Sequence, residues 1–313
     1  MSASDDDRTA SLMTPAKLAQ LKVRPAPAAS PAAWLDQMAA DAGSGHVRRL
    51  VELRQQVEAL LRAREGDFRP PAASCQALHD ALAQLDFSLV QPKGWLARAT
   101  GKGKEAAAGF AAQHDKVHGA GEDLADEVRA LQKRVAAQGT GLDRLLLECD
   151  TEVRALEKIM DQGARWLQDM RNQLKARQAA ATDAEARQQI AQDNARCELL
   201  VARLKVLRSV ATATQQALER CKAAKAGRAD VLASLQQLVD EDWKAGQQKL
   251  ASVARKVEDE GAATEGVERA DKARGTLQAS LQQAAQDCGN VQSLDQGVAD
   301  ELAGLQAVLQ SAA

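Results

Sequence analysis

Apolar residues recur at steps of three and four along almost the whole chain beyond residue 33. On a helix of about 3.6 residues per turn this spacing lines one face, so each run predicts an amphipathic α-helix that packs along a seam. The pattern starts at Trp34 and runs to Phe68, strongest at Val47, Leu50, Val51, Val57, Leu60 and Leu61, with Pro70 and Pro71 expected to end it. A second short helix is expected through Cys75, Leu78, Leu82 and Leu85, stopping before Pro92. No proline follows Pro92, and Ala, Leu, Gln, Lys, Arg, Glu and Asp dominate what remains. Proline breaks helices and these residues favour them, so the remainder predicts long helices.

The first long stripe is Leu124, Val128, Leu131, Val135, Leu142, Leu145 and Cys149, continuing through Val153, Leu156, Met160, Gly163, Leu167, Met170 and Leu174. Between Cys149 and Val153 the step is four where three is due, a stutter that locally unwinds a supercoil without breaking the helix. Gly139 and Gly141 mark the expected weak point, since each glycine costs about 1 kcal/mol against alanine in a helix. Thr182 and Glu185 have capping-box spacing and open the next helix, with its stripe at Ile190, Cys197, Leu200, Leu204, Leu207, Ala211, Thr214, Leu218 and Cys221. A break is expected near Lys225 to Gly227, then a helix through Val231, Leu232, Leu235, Val239, Trp243, Leu250, Val253 and Val257. Gly261 and Gly266 bracket the next turn. The last stripe runs Val267, Ala270, Leu277, Leu281, Ala284, Cys288, Val291, Val298, Leu302, Leu305 and Leu309. The fold class expected is all-α: an elongated antiparallel bundle or set of coiled-coil hairpins.

Three segments precede or divide these helices. Residues 1–33 hold four of the seven prolines in a Pro/Ala/Ser background and read as a disordered leader. Residues 34–92 hold the short helices, and 93–313 the long-helix bundle, entered by a basic hinge at 93–104. That hinge carries Lys93, Arg98, Lys102 and Lys104 without an acid, and Trp95 among them. It is the candidate contact for a protein partner or an anion. An aromatic beside positive charge also suits a membrane surface, a secondary option.

Composition narrows the chemistry. With three Phe, four Trp and no Tyr, aromatic content is 2%, thin for an enclosed apolar active site or for stacking on nucleic-acid bases. The formal charge of −2 comes from interspersed acids and bases, so no global field draws nucleic acid. Residues 1–8 carry three acids and no apolar run, and no stretch has the length of a membrane span, so a cytoplasmic protein is expected. Cys75, Cys149, Cys197, Cys221 and Cys288 are too widely spaced for a disulfide framework, and four of them fall on seams.

Candidate motifs are few. Gly101, Lys102, Gly103 and Lys104 lack the Ser or Thr that a phosphate-binding P-loop places after Gly-Lys. His114, His118 and Glu122 share i, i+4, i+8 spacing and are the weak metal candidates; Cys75 and His79 offer only two ligands. Trp166 and Trp243 lie at or beside seams and are expected to pack in the core. No catalytic constellation emerges, so a non-enzyme without cofactor is expected. It would act through a protein partner, with self-association through the coiled coil a further option.

Lys93, Gly94, Trp95 and Leu96, then Lys102 and Lys104, then Asp115, Lys116 and Val117, resemble the entry to the helical region of the toxic-anion (tellurite) resistance family, the TelA-like proteins. Leu142, Asp143, Arg144 and Leu145 resemble that family's Leu-Asp-basic-apolar step, and Trp243, Lys244 and Gln247 its late Trp-Lys signature. The chain departs from the pattern at Asp242, where the family has proline, and at His114, where it tends to have tyrosine. The resemblance covers roughly residues 12–257. It implies a cytoplasmic all-helical protein linked to tellurite resistance, and it defines no catalytic residues. Thiol-based reduction or sequestration of tellurite is the alternative expectation, and a coiled-coil structural protein unrelated to anion stress the third.

Overall fold

The computed structural model describes residues 31–64, 67–90, 102–259 and 264–312. Its elements are α1 (Pro31–Asp41), α2 (Ser44–Arg62), α3 (Arg69–Ala83), a 3-10 turn (Phe87–Leu89), α4 (Lys102–Ala180), α5 (Ala184–Gln237), a π-helical turn (Leu238–Trp243), α6 (Lys244–Asp259) and α7 (Thr264–Ala312). Among the described residues there is no strand, and α4, α5 and α7 run for 79, 54 and 49 residues. The all-helical bundle expected from the stripes is what forms.

The chain folds as two compact units that are not consecutive in sequence. The smaller joins residues 31–47 to 154–211. Here the end of α4 and the start of α5 form an antiparallel hairpin, tied by Arg177 to Asp193 at 2.7 Å and Arg171 to Glu198 at 3.1 Å. Its core is Leu167, Met170, Leu174, Ile190, Cys197 and Leu200, with Trp166 half-buried against it and Met38 and Ala39 of α1 packed on it. Gly43 ends α1 with φ +73°. A β-carbon there would also press within 3.1 Å of Leu156 and Leu207, so both backbone and space demand glycine. Arg203 completes this turn by donating to the Ala42 carbonyl at 3.0 Å.

The larger unit joins 48–153 to 212–311. The first part of α4 runs antiparallel to α5 and α6, which run antiparallel to α7. Contacts pair Asp143 with Lys225, His118 with Gln247, and Gly227 with Leu294. Short α2 and α3 cover the bundle, joined to it at Arg49–Glu148 and at Cys75, Leu78 and Leu82, all fully buried. The seam residues Leu124, Val128, Leu131, Leu235, Leu250, Leu277, Leu281 and Cys288 make one continuous core.

Several expected boundaries move, each for a local reason. The run from Trp34 to Phe68 is two helices, divided at Gly43. Pro70 and Pro71 begin α3 rather than ending its predecessor, occupying first-turn positions whose N–H groups would have no helical partner anyway. The side chain of Trp34 and residues 1–30 lie outside the described residues. Helix α4 already includes Lys102, so part of the expected hinge is helical. It then passes unbroken through Gly119, Gly121, Gly139 and Gly141. Arg64, reaching over from the end of α2, donates to the Gln138 carbonyl at 2.9 Å, and Leu142 and Leu145 are buried just beyond. Tertiary packing outweighs the glycine cost there. Nor does α5 break near Gly227: a β-carbon at that position would come within 2.7 Å of Leu294, so the glycine admits a neighbouring helix. Gly266 sits inside the first turn of α7, and Gly261 lies outside the described residues.

The stutter at Cys149 leaves α4 in ordinary α geometry. A second pair of four-residue steps, Leu235 to Val239 to Trp243, coincides with the π turn, whose wider winding absorbs the extra residue.

The cap of α5 also differs from the expectation. Asp183, not Thr182, sits at the N-cap: its Oδ1 accepts from the Ala186 N–H at 2.6 Å. Asp183→Ala should therefore cost about 1 kcal/mol in urea unfolding and Thr182→Ala only a few tenths. Equal losses would contradict this assignment.

Candidate functional site

Two of the stretches singled out in the sequence, around Val117 and around Trp243, lie on facing helices of the larger unit. Val117 of α4 is fully buried, and Trp243, at the end of the π turn, is only 3% exposed. Its indole lies directly over Gly121, where any β-carbon would overlap the ring. One turn along, the Gln247 side-chain amide lies 3.1 Å from His118 Nδ1. Lys244 pairs with Asp240 across the outer face of the π turn at 2.8 Å. A π turn, a buried indole and a glycine thus lock α4 to the α5–α6 rod at one level. Trp243 packs in the core at this contact, as expected, and Val117 belongs to the same core.

The candidate metal ligands do not converge. Successive i+4 steps rotate a helix position by about 40°, so His114 and Glu122 stand about 80° apart around α4. His114 is turned inward, its side chain 14% exposed, and burial lowers its pKa below the ordinary imidazole value. His118 and Glu122 face outward, with His118 Nδ1 3.9 Å from Glu122 Oε1. Among the described residues no three His, Cys, Asp or Glu side chains are grouped to hold a metal. His79 pairs with the neighbouring Asp80 at 3.1 Å instead of joining Cys75 in a site.

Of the basic hinge, Lys93, Trp95 and Arg98 lie outside the described residues. The backbone of Lys102 and Lys104 forms the first turn of α4.

All five cysteines are buried free thiols. Burial pushes Cys75 and Cys149 up to about 12 and Cys221 and Cys288 up to about 11, and raises Cys197 as well. A thiol so held stays protonated and is a poor nucleophile toward anything in solvent.

Sequence reasoning missed the most polar part of the interior. Arg228 of α5 is 6% exposed at its side chain and bridges Asp295 of α7 at 2.5 Å and Asp67, just before α3, at 3.3 Å. Its guanidinium also lies 5.0 Å from the centre of the Phe68 ring. Arg134 of α4 reaches the same Asp67 carboxylate at 3.4 Å. Arg64 is equally buried, and desolvation followed by the Arg228 charge lowers its pKa. Burial raises the Asp295 pKa while the Arg228 charge opposes that rise. The cluster joins the turn between α2 and α3 to α4, α5 and α7. Its signal in the sequence was a charged residue in seam register: Cys221, Ala224 and Arg228 follow steps of three and four.

No helix among the described residues is long and apolar enough to cross a membrane. No protein-family model, curated protein or solved structure matches the chain.

Proposed function

We infer that this chain is a non-enzymatic, cytoplasmic helical scaffold that works by holding a protein partner in the setting of toxic-anion stress. The observation that supports this reading is the placement of the chemistry-bearing side chains. The five thiols, Trp243 and the buried arginines all lie in seams, where they join one helix to another. What remains on the long helices is a surface of i, i+3 and i+4 ion pairs such as Lys222 with Glu219 and Arg269 with Glu265. Such pairs keep helices soluble and add little to stability. The stress setting rests on the residues that resemble the TelA-like family. Direct thiol reduction of tellurite is disfavoured by the burial and raised pKa of every thiol.

Partner contact through the basic segment is tested by photo-crosslinking from residues 93–104 in cells challenged with tellurite. A discrete partner should be captured and should disappear when Lys93, Trp95, Arg98, Lys102 and Lys104 are replaced by Ala or Ser. Tellurite tolerance should fall with it. The same crosslinks and unchanged tolerance in the substituted chain would contradict the proposal.

A further inference from the structure

A cleft of about 440 Å³ opens between α2, the start of α3 and α7 in the larger unit, a volume within the range of small-molecule sites. Leu61, Ala299 and Leu302 supply the apolar part of its lining, and Glu58, Arg62, Arg69 and Asp295 the charged part. Both acids are already answered. Glu58 accepts from Arg54 at 2.9 Å and from Arg62 at 2.5 Å. Asp295 accepts from Arg228 at 2.5 Å, and the charge of Arg64 also acts on it. Arg69, at the first turn of α3, has no ion-pair or hydrogen-bond partner for its side chain among the described residues. Arg134 and Asp67 belong to the same network, so six guanidinium groups face three carboxylates. Asp143, whose charge reaches Arg64, is itself paired to Lys225. Even with Asp300, which accepts from the lining residue Gln296 at 2.8 Å, two positive charges are left over. Guanidinium groups stay charged at any ordinary pH, and a cleft walled by protein focuses their field on what enters it.

We propose that this cleft binds a small organic phosphate monoester, with Arg69 gripping the phosphate. The Arg69 guanidinium offers a planar fork of N–H donors that suits phosphate oxygens, and none of them is shared with another side chain. Arg62, the second guanidinium of the lining, keeps donors beyond the one it gives to Glu58 and adds its charge. A phosphate monoester brings about −1.5 to −2 charge at neutral pH and answers the surplus, where a carboxylate brings about half as much. Its carbon part rests on Leu61, Ala299 and Leu302, with the exposed amide of Gln292 beside them for hydroxyl groups. No aromatic side chain is among the described residues of the lining, so a nucleobase has no ring to stack on. A free sugar or glycerol phosphate and the headgroup of phosphatidic acid offer the same chemistry, and the two sources are separated by their probes.

The test is calorimetric titration of the full chain with glycerol 3-phosphate, alongside co-sedimentation with phosphatidylcholine vesicles that contain phosphatidic acid. The chain should take up one equivalent of glycerol 3-phosphate saturably, and acetate far more weakly. Saturable binding confined to the vesicles would assign the cleft to the lipid form of the same ester. Arg69→Met should weaken binding roughly tenfold or more. Ala299→Glu places a carboxylate at an exposed helical position of the lining and should abolish it. Lys249→Met, on α6 and outside the cleft, should leave the affinity unchanged. Circular dichroism on each variant separates lost binding from lost fold. Absence of saturable binding to either probe, or unchanged affinity in Arg69→Met or Ala299→Glu with helix content preserved, would overturn the assignment. So would an equal loss in Lys249→Met, the mark of diffuse charge attraction, or acetate binding as tightly as the ester.

Discussion

Replacing Asp67 by alanine is expected to destabilise the larger unit by about 3–5 kcal/mol, the largest effect of any single polar substitution in the chain. The carboxylate is 10% exposed and answers two guanidinium groups, Arg228 at 3.3 Å and Arg134 at 3.4 Å. Removing it leaves Arg228 with Asp295 alone, beside the equally buried Arg64. The loss is the cost of an uncompensated buried charge rather than the value of one ion pair. Removing the principal partner of Asp67 as well, with Asp67→Leu and Arg228→Met together, leaves Asp295 to answer Arg64 and should therefore recover most of the loss. Urea unfolding of the single and double variants measures both. A loss below about 1 kcal/mol for Asp67→Ala would mean that the cluster is solvated and that its burial is misassigned.

Gly121→Ala and Gly119→Ala should shift stability in opposite directions, although the sites are two residues apart on the same helix. Nothing lies within 4 Å of a β-carbon at position 119, so alanine there brings only the helix-propensity gain of up to about 1 kcal/mol. At position 121 the same methyl group overlaps the ring of Trp243, which is only 3% exposed. Overpacking of this kind costs about 1–3 kcal/mol, so the net change should be a loss of about 1–2 kcal/mol. Trp243→Leu costs stability alone, but in the Gly121→Ala background it should cost less, a coupling of at least about 1 kcal/mol. Thermal unfolding of the four variants decides the matter. A gain for Gly121→Ala would show that α4 and the π turn do not meet at this level.

The seams were legible because periodicity is a one-dimensional property. Leu124 to Leu174, Ile190 to Cys221 and Val267 to Leu309 were placed in the sequence at the positions that turn out buried or half-buried. The misreadings share a cause. Gly139, Gly141 and Gly227 have a visible local cost, whereas the partners that retain them in a helix, Arg64 and Leu294, are distant in the chain. Pro70 and Pro71 are compatible with either end of a helix boundary, and the choice depends on what α3 packs against. Asp183 and Thr182 are both capable caps, and the difference is one residue of helix start. The ionic cluster is a matter of three-dimensional convergence: Asp67, Arg134, Arg228 and Asp295 come from four segments, and each alone resembles a solvated charge. Of the candidate site residues, His114, His118 and Glu122 share a helix but not a face narrow enough to converge. The convergence of Val117 and Gly121 with Trp243 and Gln247 needed the antiparallel pairing of α4 with α6, which spacing along the chain does not encode.

Each cysteine reports on one seam: Cys75 on α3, Cys149 on α4, Cys197 and Cys221 on α5, and Cys288 on α7. Timed labelling of the native chain with a thiol reagent, followed by site-resolved mass spectrometry at several dilutions, therefore asks whether the helices close on one another within a single chain. All five thiols should stay unlabelled at every concentration and react together only when the chain is unfolded. Rapid labelling of any of them in the native protein, or protection that vanishes on dilution, would contradict seams that are satisfied inside one molecule.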